Sequence, residues 1–234
     1  NRHAMRILLI ETATQVCSVA IANDGKIVAH RESAEPNAHS SRLTPFVDEM
    51  LHELSISANE LDAVCVSSGP GSYTGLRIGV STAKGICYAL GKPLLSVPTL
   101  FSMAQQYYHL HPDYSGLVCP MIDARRMECY TMIVDNGSIV RDTQADIITE
   151  GVYNQFLDRG EVMFIGDGAE KTRSLLGIHP NARYDRDLRI SAEGMLIIAE
   201  DKLHKGDTED VAYFEPFYLK DFVAKKSVVH GLYS

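Results

Sequence analysis

The sequence predicts an α/β protein made of two copies of one lobe, each a mixed sheet with flanking helices, and two observations carry that prediction. The segments Ile10-Glu11, Cys17-Ser18-Val19-Ala20-Ile21, Asn23-Asp24-Gly25 and Ile27-Val28 return as Ile122-Asp123, Cys129-Tyr130-Thr131-Met132-Ile133, Asp135-Asn136-Gly137 and Ile139-Val140, at a constant offset of 112 residues with no gap. A register of this kind marks an internal repeat. Each copy also shows one order of patterns: an apolar run ending in an acid, two strands around an Asn/Asp-Gly turn, a helix, a strand, a glycine loop and a second helix.

Taken in order, the first run ends at Glu11 and its hairpin turns at Asp24-Gly25, where glycine suits the positive φ of a short hairpin loop. The helix predicted over residues 43–54 places Leu43, Phe46, Val47, Met50, Leu51 and Leu54 at i, i+3, i+4, i+7, i+8 and i+11, with Pro45 in its first turn. An apolar strand follows over residues 61–67. The loop Gly69-Pro70-Gly71 then leads into a helix expected to run from a Thr74 cap to Leu90, closed by Gly91. Within it Gly75 and Gly79 lie four apart, and Ala83 continues their face. Each glycine costs roughly 1 kcal/mol against alanine in a helix, so two on one face imply the close approach of another backbone.

In the second copy a helix near residues 150–158, a strand over 162–165 and the loop Gly166-Asp167-Gly168 repeat the plan. A last helix over 191–205, capped by Ser191 and closed by Gly206, is expected to pack back on the first lobe. The expected division is a first lobe over residues 5–105 and a second over 106–234. Residues 1–4, ahead of Met5, read as an expression remnant.

Composition narrows the function. The 22 basic and 30 acidic side chains give a formal net charge of −8, a poor basis for gripping nucleic acid by the chain alone. Lys220, Lys225 and Lys226 read as a solvated tail. No apolar run approaches the ~20 residues that a membrane helix needs. The five cysteines (Cys17, Cys65, Cys87, Cys119 and Cys129) sit in apolar runs without a C-x-x-C pair. That argues against a disulfide framework or a zinc site and fits a reducing cytoplasm.

A duplicated lobe of this kind is the plan of the actin, hexokinase and Hsp70 superfamily, in which acid-ended strands and glycine loops face one another across a nucleotide cleft. That plan makes Glu11, Thr12, Thr14, Gly69, Gly71, Asp123, Gly166 and Gly168 the candidate nucleotide contacts. The residues themselves leave the chemistry open. Gly69-Pro70-Gly71 lacks the lysine of a P-loop and serves equally as a structural turn or an anion cradle. Glu11 and Asp123 stand where kinases of this fold keep a magnesium-handling acid and a base, whereas the plain reading of Asp123-Ala124-Arg125-Arg126-Met127-Glu128 is a salt-bridged turn. Four residues after His39 stands Leu43, so no H-x-x-x-H metal pair exists, and local hydrogen bonding is the role expected of His39. No catalytic residue and no metal site are expected.

Several segments together resemble one family over nearly the whole chain from Met5. They are Ile10-Glu11-Thr12-Ala13, His39-Ser40 with Leu43 and Pro45, the run from Gly69 to Gly79, Asp123-Ala124-Arg125-Arg126 with Glu128 and Tyr130, and Pro216-Phe217-Tyr218-Leu219-Lys220. The family is TsaB, also called YeaZ, the small actin-like accessory subunit of bacterial tRNA N6-threonylcarbamoyladenosine (t6A) synthesis. Gly-Pro-Gly-Ser-Tyr-Thr-Gly-Leu-Arg-Ile-Gly is its most specific element. The chain departs from the family pattern at Glu11, where Asp is usual, at Ser41, where an acid is expected, and at Lys220 in place of Arg.

The resemblance implies a cytoplasmic, non-catalytic subunit that binds and activates the catalytic homologue TsaD together with the ATPase TsaE. It would meet tRNA only through that complex and form a homodimer through the same surface when alone. The first two helices are the implied partner surface, so Leu43, Phe46, Val47, Met50, Leu51 and Leu54 are the expected contacts, with the face of Gly75, Gly79 and Ala83. No cofactor is required, and weak ATP or ADP binding in the cleft or at the complex interface stays open. Two enzymatic alternatives stand beside this reading. One is a small-molecule kinase or ATPase of the same fold; the other is a glycopeptidase-type metalloprotease, for which the chain offers no ligand set.

Overall fold

The structure, a computed structural model, describes residues 3–220; Lys225 and Lys226 lie outside them. The first half contains strands β1 (Arg6–Glu11), β2 (Cys17–Asn23) and β3 (Lys26–Ser33), helix α1 (Ala38–Glu53), β4 (Ala63–Ser67), α2 (Tyr73–Leu90) and β5 (Leu94–Val97). After α3 (Thr99–Leu110) come β6 (Leu117–Asp123), β7 (Glu128–Asp135), β8 (Ser138–Ile147), the short α4 (Asn154–Leu157), β9 (Val162–Ile165), α5 (Arg173–Leu176), β10 (Ala182–Tyr184) and finally α6 (Leu196–Lys205).

The two sheets are ordered β3-β2-β1-β4-β5 and β8-β7-β6-β9-β10. In each, the first strand pairs antiparallel with the second and parallel with the fourth. Segments 112 residues apart thus occupy equivalent strands, and the lobes are a duplicated actin-like fold. Both hairpin turns hold two left-handed residues, Asp24 (φ 47°) with Gly25 (φ 79°) and Asn136 (φ 26°) with Gly137 (φ 94°). That is the conformation a two-residue hairpin loop selects.

Each sheet is covered on both faces. One face of the first sheet packs α1 and α2 through Leu43, Phe46, Val47, Met50, Val80, Ala83 and Cys87. The other receives Ala192, Met195, Leu196 and Ala199, brought back from the end of the described chain. The second sheet carries α3 through Leu100, Met103, Ala104, Tyr107 and Tyr108, and on its far face Tyr153, Leu157 and Leu176. Helix α3 therefore belongs with the second sheet, and a boundary after residue 105 would cut through it.

Three expected boundaries need correction. Helix α1 begins at Ala38, after a left-handed Asn37, five residues before the expected start. Pro45 consequently lies inside the helix. It is exposed, as is Ser41, whose carbonyl the missing N–H would have paired; that carbonyl is on the watery side. Helix α2 is capped by Ser72, which accepts a hydrogen bond from Gly75 N–H, rather than by Thr74. The last helix starts with a 3₁₀ turn over Ala192–Met195; Ser191 accepts from Glu193 N–H, and Gly206 closes α6 with φ 67°.

Candidate functional site

Hairpin geometry puts Glu11 and Asp123 at the carboxyl ends of β1 and β6, the opposite end from Gly25 and Gly137. In open α/β sheets this is the end at which ligands bind. Gly69, Gly71, Gly166 and Gly168 come just after the ends of β4 and β9 at the same level, so the candidate nucleotide contacts gather at one edge of each lobe.

The first-lobe edge is closed. Glu11 is fully buried, its Oε1 accepting a hydrogen bond from Ala13 N–H at 2.8 Å, while its Oε2 is buried without a partner. Burial pushes the carboxyl up to about 7, against the weaker pull of the Ala13 amide and the nearby Ser67 hydroxyl. Above it, the turn at Thr12 and Ala13 is pressed against the start of α2. Thr12 Oγ1 donates to the Gly75 carbonyl at 2.7 Å, and Ser72 N–H donates to the Ala13 carbonyl at 2.7 Å. A Cβ at Gly71 would overlap the Ala13 carbonyl, one at Gly75 the Thr12 carbonyl, and one at Gly79 the Thr12 hydroxyl. What presses on the two helical glycines is therefore the Thr12–Ala13 turn: the Thr12 carbonyl at Gly75 and the Thr12 side chain at Gly79. Thr14 is buried and accepts from Val16 N–H.

Gly69 belongs to the same seal. Its N–H reaches Thr99 Oγ1 at 3.0 Å, and that hydroxyl lies 2.6 Å from Ser67 Oγ. Phe217 of the returning chain lies against it, with its N–H donating to Ser68. From here the chain crosses between lobes: Tyr218 packs on Tyr73 with ring centroids 4.9 Å apart, and Lys220 pairs with Glu128 of the second lobe.

The second-lobe edge is open. Asp123 is exposed and its Oδ1 accepts from Lys171 Nζ at 2.7 Å and from Arg125 N–H at 2.8 Å. Partial burial would raise its pKa, but Lys171 and the Arg125 amide outweigh that and hold the carboxyl below the usual carboxylate range. Asp167, also exposed, accepts from Asp123 N–H at 2.9 Å, and partial desolvation of its carboxyl pushes its pKa up. Gly168 packs against Asp123, where an added Cβ would lie 2.9 Å from its amide nitrogen; Gly166 packs likewise on Met121. The acids of the Asp123 to Glu128 turn are salt-bridged, as its composition suggests, but to distant segments: Asp123 pairs with Lys171 and Glu128 with Lys220. Lys171, Ser67, Thr99 and Asp167 carried no signal as site residues in the sequence; the partner of Asp123 lies 48 residues away.

The expected partner residues are placed differently from the expectation. Leu43, Phe46, Val47 and Met50 are buried in the first lobe's own core, as are Gly75, Gly79 and Ala83; Leu51 and Leu54 are half-buried at its edge. Their apolar spacing serves the sheet beneath them, where a fully buried large side chain contributes about 1.5–3 kcal/mol. The accessible face of α2 is formed instead by Thr74, Arg77, Ser81, Gly85 and Tyr88, beside the half-buried Ile78 and Ile86. Tyr88 is 85% exposed, and nothing lies within 4 Å of a Cβ built on Gly85. His39 has the local role expected, with Nε2 3.2 Å from the Val16 carbonyl.

Among the described residues no group of three or more His, Cys, Asp or Glu side chains is placed to hold a metal. All five cysteines are buried. A groove of about 650 Å³ does open between the lobes, but between Gly25, His109, Asn136 and Ile197, at the far end from the candidate nucleotide contacts. Among the described residues no helix is long and apolar enough to cross a membrane.

The family model for "TsaD: tRNA N6-adenosine threonylcarbamoyltransferase" matches residues 30–227. The tRNA threonylcarbamoyladenosine biosynthesis protein TsaB of Escherichia coli (strain K12) is 34% identical over 96% of this chain and 98% of its own length. TsaB of Haemophilus influenzae is 30% identical over 96% and 97%. The solved structure of YeaZ from Pseudomonas aeruginosa superposes with a TM-score of 0.80 at 27% identity, covering 92% of this chain and all of that one. The chain belongs to the TsaB family.

Proposed function

We propose that this chain takes part in t6A synthesis as a cytoplasmic, non-catalytic subunit that pairs with a TsaD-like catalytic relative and a TsaE-like ATPase. The observation that carries the reading is the sealed first-lobe edge. A kinase or ATPase of this plan needs its first strand-end acid and the turn after it open to phosphate. Here Glu11 lies buried under a turn whose carbonyls are covered by Gly71 and Gly75. The family model of the catalytic enzyme nevertheless spans most of the chain, as expected of a relative that kept the fold and not the chemistry. Any adenine nucleotide held by the assembly sits in the second-lobe part of the cleft or at the subunit interface.

The partner surface we assign is the outer side of α2 with the edge of α1: Ile78, Ser81, Gly85, Ile86, Tyr88 and Leu51. Gly85 supports this, because a helical glycine that meets no neighbour lowers stability by roughly 1 kcal/mol and gives nothing back within the chain. A docking helix that needs close approach gives it a use. The same side serves a homodimer when the partner is absent.

The test is t6A formation by the TsaD-like and TsaE-like proteins with and without this chain, and by this chain alone. Activity only when all three are present supports the reading, and turnover by this chain alone overturns it. Gly85→Arg and Tyr88→Glu are expected to abolish co-elution with the catalytic relative while leaving the thermal midpoint within a few degrees. Intact pairing in both variants would move the interface elsewhere.

A further inference from the structure

The turn between β6 and β7 carries two guanidinium groups that form no ion pair among the described residues. Arg125 (φ 79°) and Arg126 (φ 49°) are consecutive left-handed residues, a conformation that side chains bearing a Cβ disfavour. The other turns with two left-handed residues in a row place Asp-Gly or Asn-Gly there, which tolerate it. Both arginines are exposed. Among the described residues neither guanidinium has a hydrogen bond or an ion pair, although Arg125 N–H donates to Asp123.

The acids around the turn are already committed. Asp123 is bound by Lys171 at 2.7 Å, Glu128 by Lys220, and Asp167, though exposed, accepts from Asp123 N–H. The tip is thus a positive point on a chain of formal charge −8. The turn is also poorly shaped to hold a terminal phosphate of a free nucleotide. Ala124 N–H is taken by Glu128 O and Arg125 N–H by the Asp123 carboxylate, and Gly168 is packed against Asp123. What remains is a convex pair of guanidiniums, the arrangement that meets phosphates strung along a backbone.

We propose that Arg125 and Arg126 contact the phosphate backbone of the RNA on which the assembly acts; this rests on the role in t6A synthesis proposed above. Their strained backbone holds two cations at the tip that a glycine turn would lack, and the contact carries no sequence information.

The test is the double variant Arg125→Gly/Arg126→Gly, which keeps the turn's backbone and removes both charges. Binding of an unmodified tRNA transcript to the complex of this chain with its catalytic relative is measured over a series of salt concentrations. The slope of log affinity against log salt is expected to fall by roughly 2, about one per lost phosphate contact, with affinity at low salt down about tenfold or more. The double arginine-to-lysine variant should keep the slope. Co-elution with the relative should be unchanged and the thermal midpoint equal or higher, which separates a lost contact from a lost fold.

An unchanged slope overturns the proposal. So does loss of co-elution with the slope preserved, which would assign the arginines to an acidic protein surface, or a fall only in the binding of free ATP. Failure of the wild-type chain to pair would instead sink the subunit reading; the same titration on the chain alone, showing no difference between wild type and variant, would then overturn this inference as well.

Discussion

Glu11 and Asp123 end equivalent strands of duplicated lobes, and their surroundings are opposite. Glu11 is sealed under the Thr12–Ala13 turn with one oxygen unpartnered and its pKa pushed up to about 7. Asp123 stands in the open, bound by Lys171 and held below the usual range. Strand position is identical, so the cause lies in the segments that leave β4 and β9. Gly71, Gly75 and Gly79 let the whole start of α2 settle onto the first-lobe turn, whereas in the second lobe a 3₁₀ turn and the four-residue α5 come after Gly168 and bring Lys171 to the acid. One lobe closed its ligand edge by packing, and the other kept a charged one.

The strongest way to break the comparison is to pry open the seal. Gly75→Ala should cost about 3 kcal/mol or prevent folding, because its Cβ meets the rigid Thr12 carbonyl. Gly168→Ala, with its nearest neighbour at 2.9 Å, should cost about half that; urea unfolding of both variants measures the difference. Equal costs would mean the two edges are packed alike.

Next in size is the protonation of Glu11. Its folded pKa is raised, so the folded state binds the extra proton, and stability falls as pH rises from about 4.5 to about 7. Glu11→Gln removes the charge and should stabilise the protein above pH 7 by up to about 3 kcal/mol, with the gain shrinking toward pH 5. A variant equally destabilised at every pH would show that the carboxylate has a partner the fold depends on.

The smallest effect belongs to Asp123, and its sign is reversed. Its folded pKa is lowered, so its contribution is present above the ordinary carboxylate pKa and is lost as pH falls through the folded value. Asp123→Asn should lower stability at pH 7 by less than about 1 kcal/mol, since an ion pair this exposed is largely screened. Chemical unfolding at pH 7 and at low pH would show the difference vanishing in acid.

The repeat made the sheets legible, because a period of two and a turn every few residues survive in register from Ile10 to Val140. The helices were legible as elements and less so in their facing. The stripe of Leu43, Phe46, Val47 and Met50 has one helical period whether it faces a core or a partner, and nothing in the spacing says which. Gly75 correctly signalled a close backbone, that of Thr12, while Gly79 makes room for the Thr12 side chain; Thr12 lies 63 residues before Gly75 and is joined to it by a hydrogen bond that no local pattern encodes. Lys171 carried no local signal for the same reason, and Lys220 read as a solvated tail although it pairs with Glu128; without these lysines the acids beside Arg125 and Arg126 read as the arginines' own partners.

The exchange of helices has a consequence for synthesis. One face of the first sheet, with Ile7, Leu9, Ala20 and Cys65, is covered by Met195, Leu196 and Ala199, and Glu209 bridges to the edge strand at Leu94. A nascent chain therefore emerges from the ribosome with half of its first lobe unroofed, and that lobe cannot be completed until residues 192–209 are free. The first lobe is made first but finished only after the second has been synthesised, so a chain cut after residue 105 is expected to aggregate on that bare face rather than fold as a lobe.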